Sequence, residues 1–256
     1  MQKFRPNTID HLIYGMIFHV NEYHLPEAFQ ANDIILDIGT HAGYFAEAAL
    51  RRGAGKVVGF EVNPENYALA KQNLQAYEAE GRVDIRQAAV WRSDVVNEIL
   101  FQHHFEEATN QKLINTGNSF VSSKRGAFQV DAIGLDALLM ELSEQETKRI
   151  RMLKIDCEGG EWPILLTSKK LHLIDEIHGE YHEPNLPLPF DDFQHIGANY
   201  KHELLQEYLK KAGFQVLVKP VNQHQEAKWK GMGMFYASRI QDPALFEEIT
   251  LEQIAF

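Results

Sequence analysis

Three acids, Asp156, Glu158 and Glu161, fall within six positions around the pair Gly159-Gly160, directly after the apolar run Met152-Leu153-Lys154-Ile155. Carboxylates on a flexible turn at the end of a buried strand lie where open α/β sheets present their ligands, and there they can align an acceptor or take its proton. A second group follows in Asp175-Glu176-Ile177-His178-Gly179-Glu180-Tyr181-His182-Glu183, which reads as a strand. Its period of two places His178, Glu180 and His182 on one face. Two imidazoles and a carboxylate so placed suit a divalent metal, a histidine base beside a substrate pocket, or a hydrogen-bonded polar strand end. Cys157, among the acids, is read as a structural thiol. The pair His103-His104 is read as surface, because adjacent strand residues point to opposite sides and cannot converge on a metal.

A third group is the stretch Asp33-Ile34-Ile35-Leu36-Asp37-Ile38-Gly39-Thr40-His41-Ala42-Gly43-Tyr44-Phe45. It reads as a strand ending in a carboxylate, a tight turn through two glycines, and the start of a helix. Glycine admits positive φ and lets a ligand approach the backbone, and the helix start offers unpaired N–H groups. The spacing Asp-x-Gly-x-x-x-Gly departs from the dinucleotide fingerprint and from the P-loop. An acid at the loop mouth would repel a diphosphate but can accept from an amine, so a ligand with both amino and carboxyl groups fits, and S-adenosylmethionine is one. Lys56-Val57-Val58-Gly59-Phe60-Glu61 ends on an acid 24 positions after Asp37, near the spacing at which a carboxylate meets ribose hydroxyls.

Positioning these groups requires a sheet with crossover helices. Asn63-Pro64-Glu65 caps a helix running to about Tyr77. Val83 to Val90 alternates as a third strand, with Gln87 and the backbone near Ala88 placed to meet an adenine edge. Residues 91–134 read as an antiparallel excursion, through Ile99, Phe101, the turn cluster Thr116 to Ser119, and Phe128 to Ile133. Leu135, Leu138, Leu139 and Leu142 give a helix face, and Pro163 suits the first turn of a helix through Leu166. Lys201 to Lys211 is a helix stopped by Gly213, and Phe214 to Lys219 with Met232 to Ser238 form an antiparallel pair. Residues 1–32 read as a helical cap over the site, with Ile9, Leu12, Ile13, Met16 and Ile17 at helical spacing. Asn21 to Pro26 is expected to be a solvated loop and Pro26 to Phe29 a short helix. The proline-rich stretch Pro184 to Pro189, with Phe190 and Phe193, is expected to cover the pocket.

The totals narrow the function classes. A chain of 256 residues, 45% apolar, supports one large α/β domain, here residues 33–256. A net charge of −11 without a basic stripe disfavours nucleic acid as a partner. The single cysteine, the lack of a membrane-length apolar run and the lack of a signal-peptide core lead us to expect a soluble cytoplasmic protein with no membrane partner.

The strand order resembles the class I S-adenosylmethionine-dependent methyltransferases: a Rossmann-like, mostly parallel seven-stranded sheet with a C-terminal antiparallel hairpin. More narrowly, the chain resembles the FkbM family. The resemblance rests on Asp37 to Phe45, Gly59-Phe60-Glu61-Val62-Asn63-Pro64, Gly134 to Leu139 and above all Leu153-Lys154-Ile155-Asp156-Cys157-Glu158-Gly159-Gly160-Glu161. His41-Ala42 and Gly160 depart from the family's usual residues. The resemblance implies that Asp37, Gly39 and Gly43 hold the methionine moiety of S-adenosylmethionine, Glu61 the ribose, and Gln87 and Ala88 the adenine. It places Asp156 beside the sulfonium and adds Thr40, Tyr44 and Val62 to the cofactor set.

The activity so implied is methylation of a hydroxyl on a small molecule such as a sugar or natural product. Methyl transfer is an in-line displacement that needs alignment and removal of the acceptor's proton. His178 is the expected base, with Glu158 or Glu161 orienting it and Asp156 as a substitute, and no metal is expected. The rivals are a metal-dependent O-methyltransferase, a nicotinamide-dependent oxidoreductase, which lacks its glycine pattern here, and a non-catalytic nucleoside-binding protein.

Overall fold

Strands buried on both faces read as unbroken apolar runs, and this chain's central strands are of that kind. The computed structural model describes residues 3–95, 100–104, 119–122, 128–183, 200–221 and 231–240. After α1 (Asp10–Gly15), which continues as a π turn over Met16–Val20, come β1 (Ile34–Ile38), α2 (Tyr44–Arg51), β2 (Lys56–Phe60), α3 (Pro64–Asn73), α4 (Gln75–Ala79) and β3 (Val83–Arg86). An excursion follows through β4 (Ala89–Trp91), β5 (Leu100–His104), β6 (Ser119–Ser122), β7 (Phe128–Val130) and β8 (Ala132–Gly134). The chain then returns with α5 (Leu135–Leu142), β9 (Ile150–Ile155), α6 (Glu161–Thr167), β10 (Ile174–His182), α7 (His202–Lys211), β11 (Gln215–Pro220) and β12 (Met232–Ser238).

The main sheet has seven strands in the order β11-β12-β10-β9-β1-β2-β3. β1 pairs in parallel with β2 and β9, and β10 in parallel with β9, while β12 runs antiparallel to both β10 and β11. Strand alternation divides the apolar residues between two cores. Leu36, Ile38, Leu153, Ile155, Ile177 and Phe235 meet α5, α6 and α7 on one face, whereas Ile35, Met152, Met234 and Tyr236 meet α2 and the N-terminal segment on the other. The parity matters for chemistry: Asp37, Lys154 and His178, in register across β1, β9 and β10, belong to the second face.

Several expectations are corrected. The third strand ends at Arg86; Ala89–Trp91 pairs instead with β8 in a separate two-stranded sheet, so the Val83–Val90 run breaks at Gln87-Ala88. The helix after Asn63 is interrupted at Leu74, and no helix forms from Pro26 to Phe29. Asn63 does cap α3, its side chain accepting from Glu65 N and Asn66 N. The excursion holds the expected antiparallel strands in β5, β6 and β7. The side chains of His103 and His104, the turn at 116–118 and the proline-rich stretch 184–199 lie outside what the structure describes. Among the described residues, no helix is long and apolar enough to cross a membrane.

Two turns are set by glycine geometry. Gly39 follows β1 at φ +79°, and a Cβ there would sit 1.8 Å from the Asp156 carbonyl oxygen, so the loop after β1 lies against the end of β9. Gly81 has a similar φ of +73° with open space around it. Gly39→Ala should therefore destabilise the fold by about 3 kcal/mol or more, combining left-handed strain with backbone overlap. Gly81→Ala should cost about 1–2 kcal/mol, the strain alone. Urea unfolding of the two variants checks the difference.

Candidate active site

Lys154 is the side chain that the sequence reading missed. It lies in a strand whose neighbours are apolar, only 5% of its side chain is exposed, and its register partner on β1 is Asp37. Its ammonium donates to the Gly39 carbonyl at 2.6 Å, lies 3.4 Å from Asp37 Oδ1 and 3.9 Å from Asp156 Oδ2. Burial works against this charge, but Asp37 and Asp156 outweigh it and hold the ammonium above its ordinary pKa. A lysine inside the buried run Met152–Ile155 was the available signal, since such a charge requires partners.

The cofactor side of the site is built from the loop after β1 and the end of β2. Thr40 closes the turn through its hydroxyl to the Asp37 carbonyl at 3.0 Å. Glu61, enclosed at the end of β2, accepts from His41 N at 2.7 Å and Asn63 N at 2.8 Å, one on each oxygen. The Asn66 side chain also donates to this carboxylate, so of the four acceptor positions on its two oxygens one is left for a ribose hydroxyl. Burial raises the Glu61 pKa to about 7 despite those donors. Neither oxygen of the enclosed Asp37 receives a well-formed hydrogen bond, leaving acceptors for an ammonium group. A hollow of about 260 Å³ beyond β2 and β3 is lined by Val62, Gln87, Gln129, Val130 and Asp131. Tyr44 is enclosed, its hydroxyl donating to Lys3 O at 3.3 Å and its ring meeting His41 of the loop edge-on.

The N-terminal segment closes over this loop. The Arg5 guanidinium joins Asp10 at 2.7 Å, Asn66 Oδ1 at 2.6 Å and His41 Nε2 at 2.8 Å. The stretch expected to be solvated reaches inward instead: Tyr23 is buried and donates its hydroxyl to Asp156 Oδ2 at 3.0 Å. Tyr236 holds this turn by donating to Glu22 O at 2.7 Å.

The two histidines of β10 stand in different surroundings. His178 is 0% exposed, its Nδ1–H donates to Tyr23 O at 2.6 Å, and its ring meets Tyr236 edge-on. Burial keeps it below its ordinary pKa, hence neutral. It lies inside the sheet and pins β10 to the Tyr23 turn. His182, one strand repeat beyond Glu180, reaches the edge. Its Nδ1 meets Glu161 Oε1 at 3.1 Å, and its Nε2 lies 3.4 Å from Glu158 Oε2, within ion-pair range but not aligned as a hydrogen bond. Glu161, fully enclosed, also accepts from Cys157 N and Gly159 N, so it is fixed as an acceptor. Burial disfavours the imidazolium, but Glu158, Glu161 and Glu180 together raise His182 well above its ordinary pKa. Burial and the nearby Asp156 raise Glu22 to about 7; burial and neighbouring acids raise Glu158 to about 7. Cys157 is a free thiol pushed up by burial, consistent with a structural role.

A sheet in the order β3-β2-β1-β9-β10-β12-β11, with its last two strands antiparallel and acids at the ends of β1 and β2 beside a glycine turn, is the Rossmann-like sheet of the class I S-adenosylmethionine-dependent methyltransferases. The methyltransferase FkbM domain matches residues 37–216, and the chain belongs to that family; S-adenosylmethionine is its cofactor. The chain is similar to the FkbM methyltransferase of Methylobacillus flagellatus KT, with 12% identity and a TM-score of 0.48 over 88% of this chain and 47% of that one. It thus spans about half the length of that protein. It is also similar to precorrin-6y C5,15-methyltransferase from Geobacter metallireducens GS-15 (12%, TM-score 0.44, 92% and 93% covered). A further similar structure is M. capricolum TrmK with S-adenosyl-homocysteine (12%, TM-score 0.44, 87% and 68% covered). No curated protein sequence matches the chain.

Two outcomes test this geometry. Lys154→Met removes one partner of a buried pair and should cost about 3–5 kcal/mol in urea unfolding, with Asp37→Asn in that background recovering part of the loss. For Glu61 the folded pKa lies above the unfolded one, so the native state keeps a proton that the unfolded chain releases between pH 4.5 and about 7. Its contribution to stability is therefore lost as pH rises through that window. A pH series of urea midpoints without cofactor should show a weaker decline in Glu61→Gln than in the wild type.

Proposed function

We propose that this protein methylates a hydroxyl group of a small molecule, such as a sugar or natural product, using S-adenosylmethionine. The observation that carries the reading is the Glu161–His182–Glu158 arrangement at the edge of the sheet beside Asp156. S-adenosylmethionine, held by the loop after β1 and the end of β2, would supply a sulfonium methyl for transfer to an acceptor oxygen, and the hydroxyl proton would pass to a carboxylate at this edge.

The chain's own groups fit those needs. Asp37 and the loop from Gly39 to Gly43 would hold the amino-acid end, Glu61 the ribose, and Val62 and Gln87 the base hollow that they line, whereas Ala88 packs against the core instead. Asp156, fixed by the Tyr23 hydroxyl, borders the place where the acceptor must align. Glu161 fixes the ring of His182, and His182 in turn holds the Glu158 carboxylate at the rim, where Glu158 is the group that takes the hydroxyl proton. Orientation of an imidazole by a buried carboxylate is a recurrent means of fixing its tautomer. A net charge of −11 and an acid-lined crevice favour a small neutral or cationic acceptor over a phosphate backbone.

The deciding experiment incubates the protein with S-adenosylmethionine and a library of hydroxyl-bearing metabolites and reads mass gain of one methyl. Transfer only to carbon or nitrogen, or only to RNA, would overturn the hydroxyl assignment. With an acceptor found, His182→Ala should lower kcat by about 10²–10⁴ and leave cofactor affinity nearly unchanged. His178→Ala should lower thermal stability and reduce activity only with the folded fraction.

A further inference from the structure

Glu180 has no part in the chemistry above. It is half-buried on β10, between the registers of His178 and His182, and its carboxylate makes no hydrogen bond with any described residue. One ligating atom from each of Asp156, Glu180 and His182 lies within 4.8 Å of the others. We propose that Asp156, Glu180 and His182 together hold a divalent cation at the acceptor side of the crevice.

Three features besides proximity point to a cation. The His182 ring is already prepared as a ligand: a buried carboxylate takes its Nδ1–H, and Nε2 is enclosed without a hydrogen-bond partner. Metal-bound imidazoles are oriented by a carboxylate in this way. Tyr23 occupies Asp156 Oδ2, which fixes that carboxylate and leaves Oδ1 for a ligand. The crevice also has an excess of negative charge, for Glu22 and Glu158 stand beside the three ligands, and the nearby ammonium, Lys154, lies closer to Asp37 than to Asp156. A second cluster with metal-ligand donors, Glu183, His202 and Glu203, is different: Lys201 pairs with Glu183 at 2.8 Å and supplies its positive charge.

Two carboxylate oxygens and one imidazole suit a first-row ion such as Mn²⁺, with open positions for water or substrate. Resting on the methyl-transfer reading, the ion's task would be to bind the acceptor hydroxyl and lower its pKa, so that the proton is lost near neutrality. Its binding does not depend on that reading.

The test uses Mn²⁺ alone, titrated into the full chain after metal stripping, with free Mn²⁺ read by electron paramagnetic resonance. A single saturable equivalent with a dissociation constant on the order of 10⁻⁵ M is expected. Glu180→Gln and His182→Gln should abolish it, Glu161→Gln should weaken it by about 10–100-fold, and Glu203→Gln should leave it unchanged. Circular dichroism identifies variants that fail to fold, and the near-isosteric Glu180→Gln serves if His182→Gln is one of them. No saturable binding below about 10⁻³ M, or binding unaltered in Glu180→Gln, would overturn the site. Once an acceptor is known, transfer that stops with chelator and returns with Mn²⁺ supports the ion's role, whereas transfer indifferent to chelator overturns it. Mn²⁺ binding in a protein that methylates no hydroxyl would leave the site standing and remove the proposed function instead.

Discussion

The Lys154 ammonium is the interaction on which the carboxyl edge of the sheet depends. β1 and β9 run in parallel with Asp37 opposite Lys154, and the ammonium reaches Asp37, Asp156 and the carbonyl of Gly39 at once. Without it, two acids at adjacent strand ends would face each other in a low-dielectric interior, where a lone charge is expensive. Its bond to the Gly39 carbonyl also fixes the loop that must approach a ligand closely. One buried cation thus determines both the loop shape and the number of carboxylates the edge can carry.

Beyond Lys154 the edge remains rich in acids, and the N-terminal segment intensifies that condition. Residues 21–25 form a turn in which the Asn21 side chain bonds both the N–H and the carbonyl of Leu25, and this turn presents Glu22 and Tyr23 to the crevice. Excluding water strengthens every electrostatic interaction inside, favourable or not. That explains why burial displaces the pKa values of Glu22, Glu61 and Glu158 to about 7, where ligands bearing an ammonium, hydroxyls or a cation can supply what water does not.

The two histidines of β10 show how position decides role. They share a strand and a face and lie two strand repeats apart, yet His178 faces Tyr23 and Tyr236 inside the molecule, whereas His182 stands between Glu158 and Glu161 at the rim. Period-two alternation specifies a face but not a depth along the strand. Depth depends on where β10 ends relative to β9, and the register pairs Gly179 with Ile155, one residue before Asp156. His178 is therefore level with Lys154, and Glu180 and His182 lie beyond it.

By itself the sequence determined the sheet, its crossover helices and the family, because apolar runs, the glycine spacing of Asp37 to Gly43 and the acids of Asp156 to Glu161 are local patterns that local physics can read. It also placed Glu61 and Gln87 at strand ends. Only tertiary structure decided the partners: that Lys154 serves Asp37, that Glu161 orients His182 and not His178, and that Tyr23, 133 residues away in sequence, donates to Asp156. The break of the third strand after Arg86 belongs with these, since Ala89–Trp91 had alternation enough to continue but pairs with β8. Alternation and spacing constrain each segment against itself, whereas strand register, depth in the sheet and the counter-charge of a buried group are settled between segments distant in the chain.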